Sequence, residues 1–143
     1  MQQLKYRFLF LLIPLLVLAS CGTVETSAPA AEDTSTEAEP SYQTISSDEA
    51  KKMMDEDSAV IILDVRTKDE FDTGHIEGAI LIPDDKIEEK AEEILTDKSA
   101  VILVYCRSGR RSALASASLA QLGYTNVYDF GGIIDWNYDV VTE

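Results

Sequence analysis

The sequence predicts an α/β fold, with a central parallel sheet flanked by helices. Three observations carry that expectation. Val60–Val65 and Ala100–Tyr105 are nearly continuous apolar runs rich in β-branched residues, the pattern of strands buried on both faces. Segments with helical signals separate such runs, two of them opened by the boxes Ser46-Ser47-Asp48-Glu49 and Thr67-Lys68-Asp69-Glu70. The connections are short, and strand and helix alternate along the chain, which is how parallel sheets are built.

In chain order, Tyr42–Ile45 is a short strand, and the box at Ser46 opens a helix to about Met54. After the strand Val60–Val65, the box at Thr67 opens a short helix that Gly74 ends. Ala79–Ile82 is the next strand, stopped by Pro83. Asp84–Leu95 reads as a surface helix, since Ile87, Ala91 and Leu95 fall on one face and its many Glu and Lys residues on the solvated one. The strand ending at Tyr105 leads to a helix over Ala113–Leu122, with Ala115, Leu119 and Leu122 inward and Gly123 as its stop. Asn126–Tyr128 is a last strand, Gly131-Gly132 a turn and Ile133–Trp136 a short helix. Ligands of such sheets bind beyond the carboxyl ends of strands, where Cys106 falls.

The N-terminal portion is organised differently. In residues 1–20, Lys5 and Arg7 precede the apolar run Phe8–Leu18, which is too short to span a bilayer and has the parts of an export signal. Leu18-Ala19-Ser20-Cys21 resembles the lipobox of bacterial lipoproteins. That resemblance implies cleavage before Cys21, acylation of its sulfur and a membrane anchor on the extracytoplasmic side of a bacterial cell. Residues 21–41 comprise this cysteine and a linker of Ala, Thr, Ser, Glu and Pro, too poor in apolar surface to offset the entropy of ordering. Residues 42–143 then form the single globular domain.

The chain has 12 basic against 26 acidic residues, a formal charge of −14, which argues against nucleic acid as a partner. Positive charge is concentrated locally: the stretch from Lys98 to Tyr128 has no Asp or Glu. Within it lies Cys106-Arg107-Ser108-Gly109-Arg110-Arg111-Ser112, on a strand-to-helix turn. Amides at a helix start and guanidinium groups both favour negative charge, so the turn is a candidate anion cradle with a sulfur nucleophile at its base. A plain structural cysteine would leave three arginines at a helix start without a counterpart, against the macrodipole. With Cys21 acylated, Cys106 is the unpaired thiol of an exported chain, the situation of a reactive group. His75 reads as a structural histidine, and no Cys/His/Asp cluster has metal-ligand spacing. Asp64 with Arg66 reads as a paired buried charge at a strand end, as does the nearby Glu70.

Four ordered motifs, Ile62-Leu63-Asp64-Val65-Arg66, Glu70-Phe71 with Gly74-His75-Ile76 and Gly78-Ala79, Tyr105 to Ser112, and Gly131-Gly132-Ile133-Ile134 with Trp136, resemble a single-domain rhodanese over roughly 42–138. The resemblance implies the rhodanese-like fold and a sulfurtransferase that needs no cofactor. Cys106 would accept a sulfane sulfur from a donor such as thiosulfate and pass it to a thiol or cyanide, a protein acceptor included. Arg107, Ser108, Gly109, Arg110, Arg111 and Ser112 would form the loop around the donor, closed by Arg111, while Asp64 and Arg66 support it and Trp136 packs the C-terminal segment. Two rivals stand beside this reading. A cysteine phosphatase would have five residues between its cysteine and its arginine, whereas four separate Cys106 from Arg111 and Ser112 stands where that arginine would be. A binding or sulfur-carrier module would keep the fold without turnover.

Overall fold

The computed structural model describes residues 41–142. The expected signal segment 1–20, the acylation site Cys21 and the linker up to residue 40 lie outside the described residues. From Gln43 onward the chain alternates strand and helix as its patterning dictates. The elements are β1 (Gln43–Thr44), α1 (Ser47–Glu56), β2 (Ile61–Asp64), α2 (Lys68–Thr73), β3 (Ile80–Leu81), α3 (Ile87–Ile94), β4 (Val101–Cys106), α4 (Arg110–Gln121) and β5 (Asn126–Gly132). The strands form one parallel sheet in the order β1-β5-β4-β2-β3. This is the expected rhodanese-like architecture.

Successive side chains of β4 point to opposite faces, and the core divides accordingly. Ile102, Val104 and Cys106 join Leu63 and Val65 against Ile87, Ala91 and Leu95 of the α3 region and Ala115 and Leu119 of α4. Leu103 and Tyr105 face the other way, towards Ala50 of α1, Ile76, Phe130 and Trp136. Each large side chain so buried contributes about 1.5–3 kcal/mol. The two-residue period therefore decides that the Cys106 thiol points to the side where α4 begins.

Both capping boxes form as expected, with Ser46 and Thr67 each bonded reciprocally to the glutamate three residues on. Trp136 packs the C-terminal segment, against Phe130 and Tyr138. Strands β1 to β4 differ from the expected bounds by one residue at each end, and four other boundaries differ for local reasons. The helix expected over Asp84–Leu95 begins as a 3-10 turn, Asp84–Lys86, before α3, because neither Pro83 nor Lys86 offers a side-chain cap. The segment expected as a helix over Ile133–Trp136 is a 3-10 turn over Ile133–Asp135. Helix α4 starts at Arg110 and not Ala113, since Gly109 takes a left-handed conformation and its carbonyl receives the Ala113 amide at 3.1 Å. Strand β5 runs on to Gly132, past the expected end at Tyr128, and Gly132 pairs with Cys106 across a register shift.

Candidate active site

The centre of the site is the end of β4. Cys106 is 1% exposed and is a free thiol. The chain then turns over Arg107-Ser108-Gly109, and Gly109 adopts φ 96°, a conformation that costs a residue with a Cβ but not glycine. This turn aims the Gly109 N–H at the Cys106 Sγ, 3.1 Å away. The first turn of α4 has no acidic residue of its own, in contrast to α1 and α2, so the helix start keeps its preference for negative charge. Burial pushes the thiol pKa up. The Ser112 amide and hydroxyl and the amides of Ser108 and Gly109 pull it down more strongly, and the net shift is downward. The amide cradle and one hydroxyl, more than the arginines, are thus the groups that favour the thiolate.

Ser112 is fully buried, and its hydroxyl lies 2.9 Å from the Gly109 carbonyl and 3.2 Å from that of Gly131. Its single proton serves one acceptor at a time, a carbonyl, which ties the loop to the end of β5, or the Cys106 sulfur once that is ionised. Gly132 completes that wall. A Cβ at this position would lie 2.5 Å from the Arg107 carbonyl oxygen and 2.6 Å from the Ser108 Cα. The Ile134 N–H then donates to the same Arg107 carbonyl at 3.2 Å. The cysteine loop and the β5 terminus are built against each other at backbone contact.

The three arginines have separate fates. Arg111 makes a two-point pair with Glu70, Nη1–Oε2 2.8 Å and Nη2–Oε1 2.7 Å, across 41 residues of sequence. Glu70 is also the capping carboxylate of α2, accepting from the Thr67 amide and hydroxyl at 3.1 Å each. The Arg111 guanidinium, helped by those bonds, holds the Glu70 pKa down at about 2 despite some burial. Arg107 and Arg110 are exposed, and neither has an ion-pair partner among the described residues.

Asp64 and Arg66 pair through bonds of 2.6–3.0 Å, both buried. The Arg66 guanidinium donates to the Gly74 carbonyl at 2.8 Å and lies 5.5 Å from the centre of the Tyr105 ring. The Tyr105 hydroxyl in turn accepts the Ile76 N–H at 3.2 Å. This pair therefore fixes the segment after α2 and the residue preceding the cysteine, without an Asp64 or Arg66 hydrogen bond to the loop itself. His75 is buried, stacked on Phe71 at 3.7 Å, with Nδ1 2.9 Å from the Phe71 carbonyl, which is a structural placement.

The profile of the rhodanese-like domain family matches residues 46–139, which span all of these features. The chain belongs to that family. It is 37% identical over 73 residues to the thiosulfate sulfurtransferase PspE of Escherichia coli (strain K12), covering 51% of this chain and 70% of that one. It is 34% identical over 93 residues to the putative sulfur carrier protein YrkF of Bacillus subtilis (strain 168), covering 64% of this chain but only 49% of the relative. Among solved structures, a rhodanese with anions from E. coli superposes with a TM-score of 0.56 at 34% identity, over 59% of this chain and all of that one.

In this rhodanese-like domain Cys106 ends β4, the chain turns over Arg107-Ser108-Gly109, and Arg110, Arg111 and Ser112 form the first turn of α4. Two contributors were not expected. Glu70 appeared as a helix cap and a strand-end charge, and its bond to Arg111 is a tertiary contact that no local pattern shows. Gly132 appeared as half of a turn. The doubled glycine opposite a loop of fixed length was the one available signal, because glycine marks close backbone approach as well as turns.

Proposed function

We propose that this protein is a sulfurtransferase working through a persulfide on Cys106. The Cys106 thiolate attacks the outer sulfur of thiosulfate. A new S–S bond forms, the bond between that sulfur and the sulfite sulfur breaks, and sulfite leaves with its electron pair. The persulfide anion left on Cys106 is then attacked at its outer sulfur by cyanide or a thiolate, which takes that sulfur and returns the Cys106 thiolate. No general base is required when the thiol is already ionised.

The observation that carries this reading is the Gly109 N–H directed at Sγ from the start of α4, with the thiol pKa lowered by the surrounding amides and the Ser112 hydroxyl. The same donors suit the persulfide anion. Arg107 and Arg110, without an ion-pair partner among the described residues, are the cations we assign to the entering thiosulfate dianion, while Arg111 with Glu70 holds the loop closed. PspE, named a thiosulfate sulfurtransferase, supports turnover. YrkF, named a putative sulfur carrier, supports the second reading, in which the persulfide is handed on without rapid turnover.

Intact-mass measurement tests the mechanism. Thiosulfate adds one sulfur to the wild-type chain, cyanide or dithiothreitol removes it, and Cys106→Ser takes up none while remaining folded. Unchanged turnover in that variant would refute the assignment. Slow discharge by every acceptor after full loading would favour the carrier.

We further propose that the domain works at the extracytoplasmic face of a bacterial membrane, anchored through acylated Cys21. The Leu18-Ala19-Ser20-Cys21 run after an apolar stretch supports this. Wild-type protein fractionates with membranes and Cys21→Ala is released or left unprocessed. Wild-type chain recovered without lipid from the soluble extracytoplasmic fraction overturns the anchor.

A further inference from the structure

Resting on the sulfurtransferase reading, we infer that the sulfur acceptor is a protein that offers its thiol from an acidic segment carrying an apolar side chain, and that it docks on the rim of the cysteine loop. The two most exposed large apolar side chains among the described residues are Ile134 at 64% and Leu114 at 57%. Both border the loop. The Ile134 amide is bonded to the Arg107 carbonyl, and Leu114 stands one helical turn beyond Arg110 on the exposed face of α4. Around the thiol, then, two apolar side chains lie with two guanidinium groups, Arg107 and Arg110, that have no ion-pair partner among the described residues.

That composition differs from what cyanide or thiosulfate needs. A small anion uses the cradle and its cations and gains nothing from leucine and isoleucine at the rim. Arginine and large apolar side chains together are what protein-binding centres concentrate. The charge fits the same occupant. The chain is at −14 and Glu70 neutralises Arg111, yet Arg107 and Arg110 keep two guanidinium groups at the loop without an ion-pair partner among the described residues, so the rim draws in an acidic segment while the rest of the acidic surface repels one. Asp135, exposed beside Ile134, is the one acid among residues 106–114 and 131–135; a flexible acidic segment can set its carboxylates against Arg107 and Arg110 and leave Asp135 uncovered, which an anionic lipid surface pressed flat on this face cannot. A membrane so placed would also close the cleft to a water-borne donor.

The transfer step conserves electrons. The acceptor thiolate attacks the outer sulfur of the Cys106 persulfide, the S–S bond to Sγ breaks, Sγ keeps the electron pair as thiolate, and the acceptor carries the sulfur away as its own persulfide.

The full chain in detergent micelles, loaded with thiosulfate, is discharged by two synthetic peptides of equal length. Each has one central cysteine and one leucine, flanked by glutamates in the first and lysines in the second. The acidic peptide is expected to be faster in kcat/KM by about tenfold at low salt, with the ratio falling towards one as salt screens the rim. Leu114→Ser and Ile134→Ser, at exposed positions outside the anion cradle, are expected to slow the acidic peptide by about fivefold together and leave discharge by cyanide unchanged. Equal peptide rates, or insensitivity to both substitutions, overturn the inference while loading and cyanide discharge remain intact. Anionic phosphatidylglycerol vesicles that block discharge in wild type but not in the double variant would assign the rim to lipid, and also overturn it. A chain that never gains a sulfur overturns the underlying mechanism, and mass measurement before any acceptor is added separates that case.

Discussion

Replacing Glu70 by Gln removes one charge from the clamp that closes the cysteine loop and leaves an oxygen able to keep the Thr67 amide bond of the capping box. In the folded protein the Arg111 guanidinium holds the Glu70 pKa at about 2, against 4.5 for the unperturbed side chain. Stabilisation from this group is therefore full above pH 4.5 and is lost as the pH falls towards 2, where the carboxylate protonates in both states. A shift of that size sets a ceiling of about 3 kcal/mol. The Glu70 side chain is 28% exposed, and water at a pair so placed reduces the expected loss to about 1–2 kcal/mol. For a domain of this size that corresponds to about 5–10 °C in Tm. Urea unfolding of wild type and Glu70→Gln measures it, at pH 7 and again near pH 2.5. The two proteins should differ by the stated amount at pH 7 and converge in acid. A difference below about 0.3 kcal/mol at pH 7, or one that stays constant into acid, refutes the idea that the Arg111 pair sets the Glu70 pKa and holds the loop.

Three further outcomes are expected. Gly132→Ala drives a methyl into the Arg107 carbonyl and should cost about 1–3 kcal/mol together with most sulfur loading, whereas Gly78→Ala, with open space around its Cβ, should cost about 1 kcal/mol for its positive φ and keep loading, as thermal melts and mass uptake would report. The rate of iodoacetamide alkylation should rise with pH through an apparent Cys106 pKa below the free-thiol value, and Ser112→Ala should move that midpoint up; an unmoved midpoint would remove Ser112 from the cradle. A small aryl phosphate should be released negligibly beside thiosulfate-to-cyanide transfer, because the loop has four residues before its arginine, and the reverse ranking would move the chain to phosphatase chemistry.

Strand and helix order was legible because each element declares itself locally. The apolar runs Val60–Val65 and Ala100–Tyr105 and the boxes at Ser46 and Thr67 need no distant partner to be read. The start of α4 was not legible by the same logic. Arg110, Arg111 and Ser112 have no apolar period, and it is the left-handed Gly109 that places them in the first helical turn. Strand β5 was shortened in the reading because Gly131-Gly132 looks like a stop, while β4 recruits Gly132 into the sheet. Site chemistry followed the same division. The cysteine, its cradle and the buried Asp64–Arg66 pair are near neighbours in sequence and were read. The allotment of Arg111 to Glu70, 41 residues away, depends on how α2 lies against α4.

The near-complete burial of Cys106 has a consequence for traffic through the cleft. The sulfur of a residue 1% exposed sits too low for a bulky disulfide to align along it, so mixed disulfides at Cys106 are expected to form slowly. On the mechanism we propose, the outer sulfur of the persulfide stands one bond further from the backbone than Sγ does. The depth of the cysteine would then sort its partners by size, with small donors reaching the empty sulfur and an acceptor thiol on a folded surface finding a reachable sulfur only after loading.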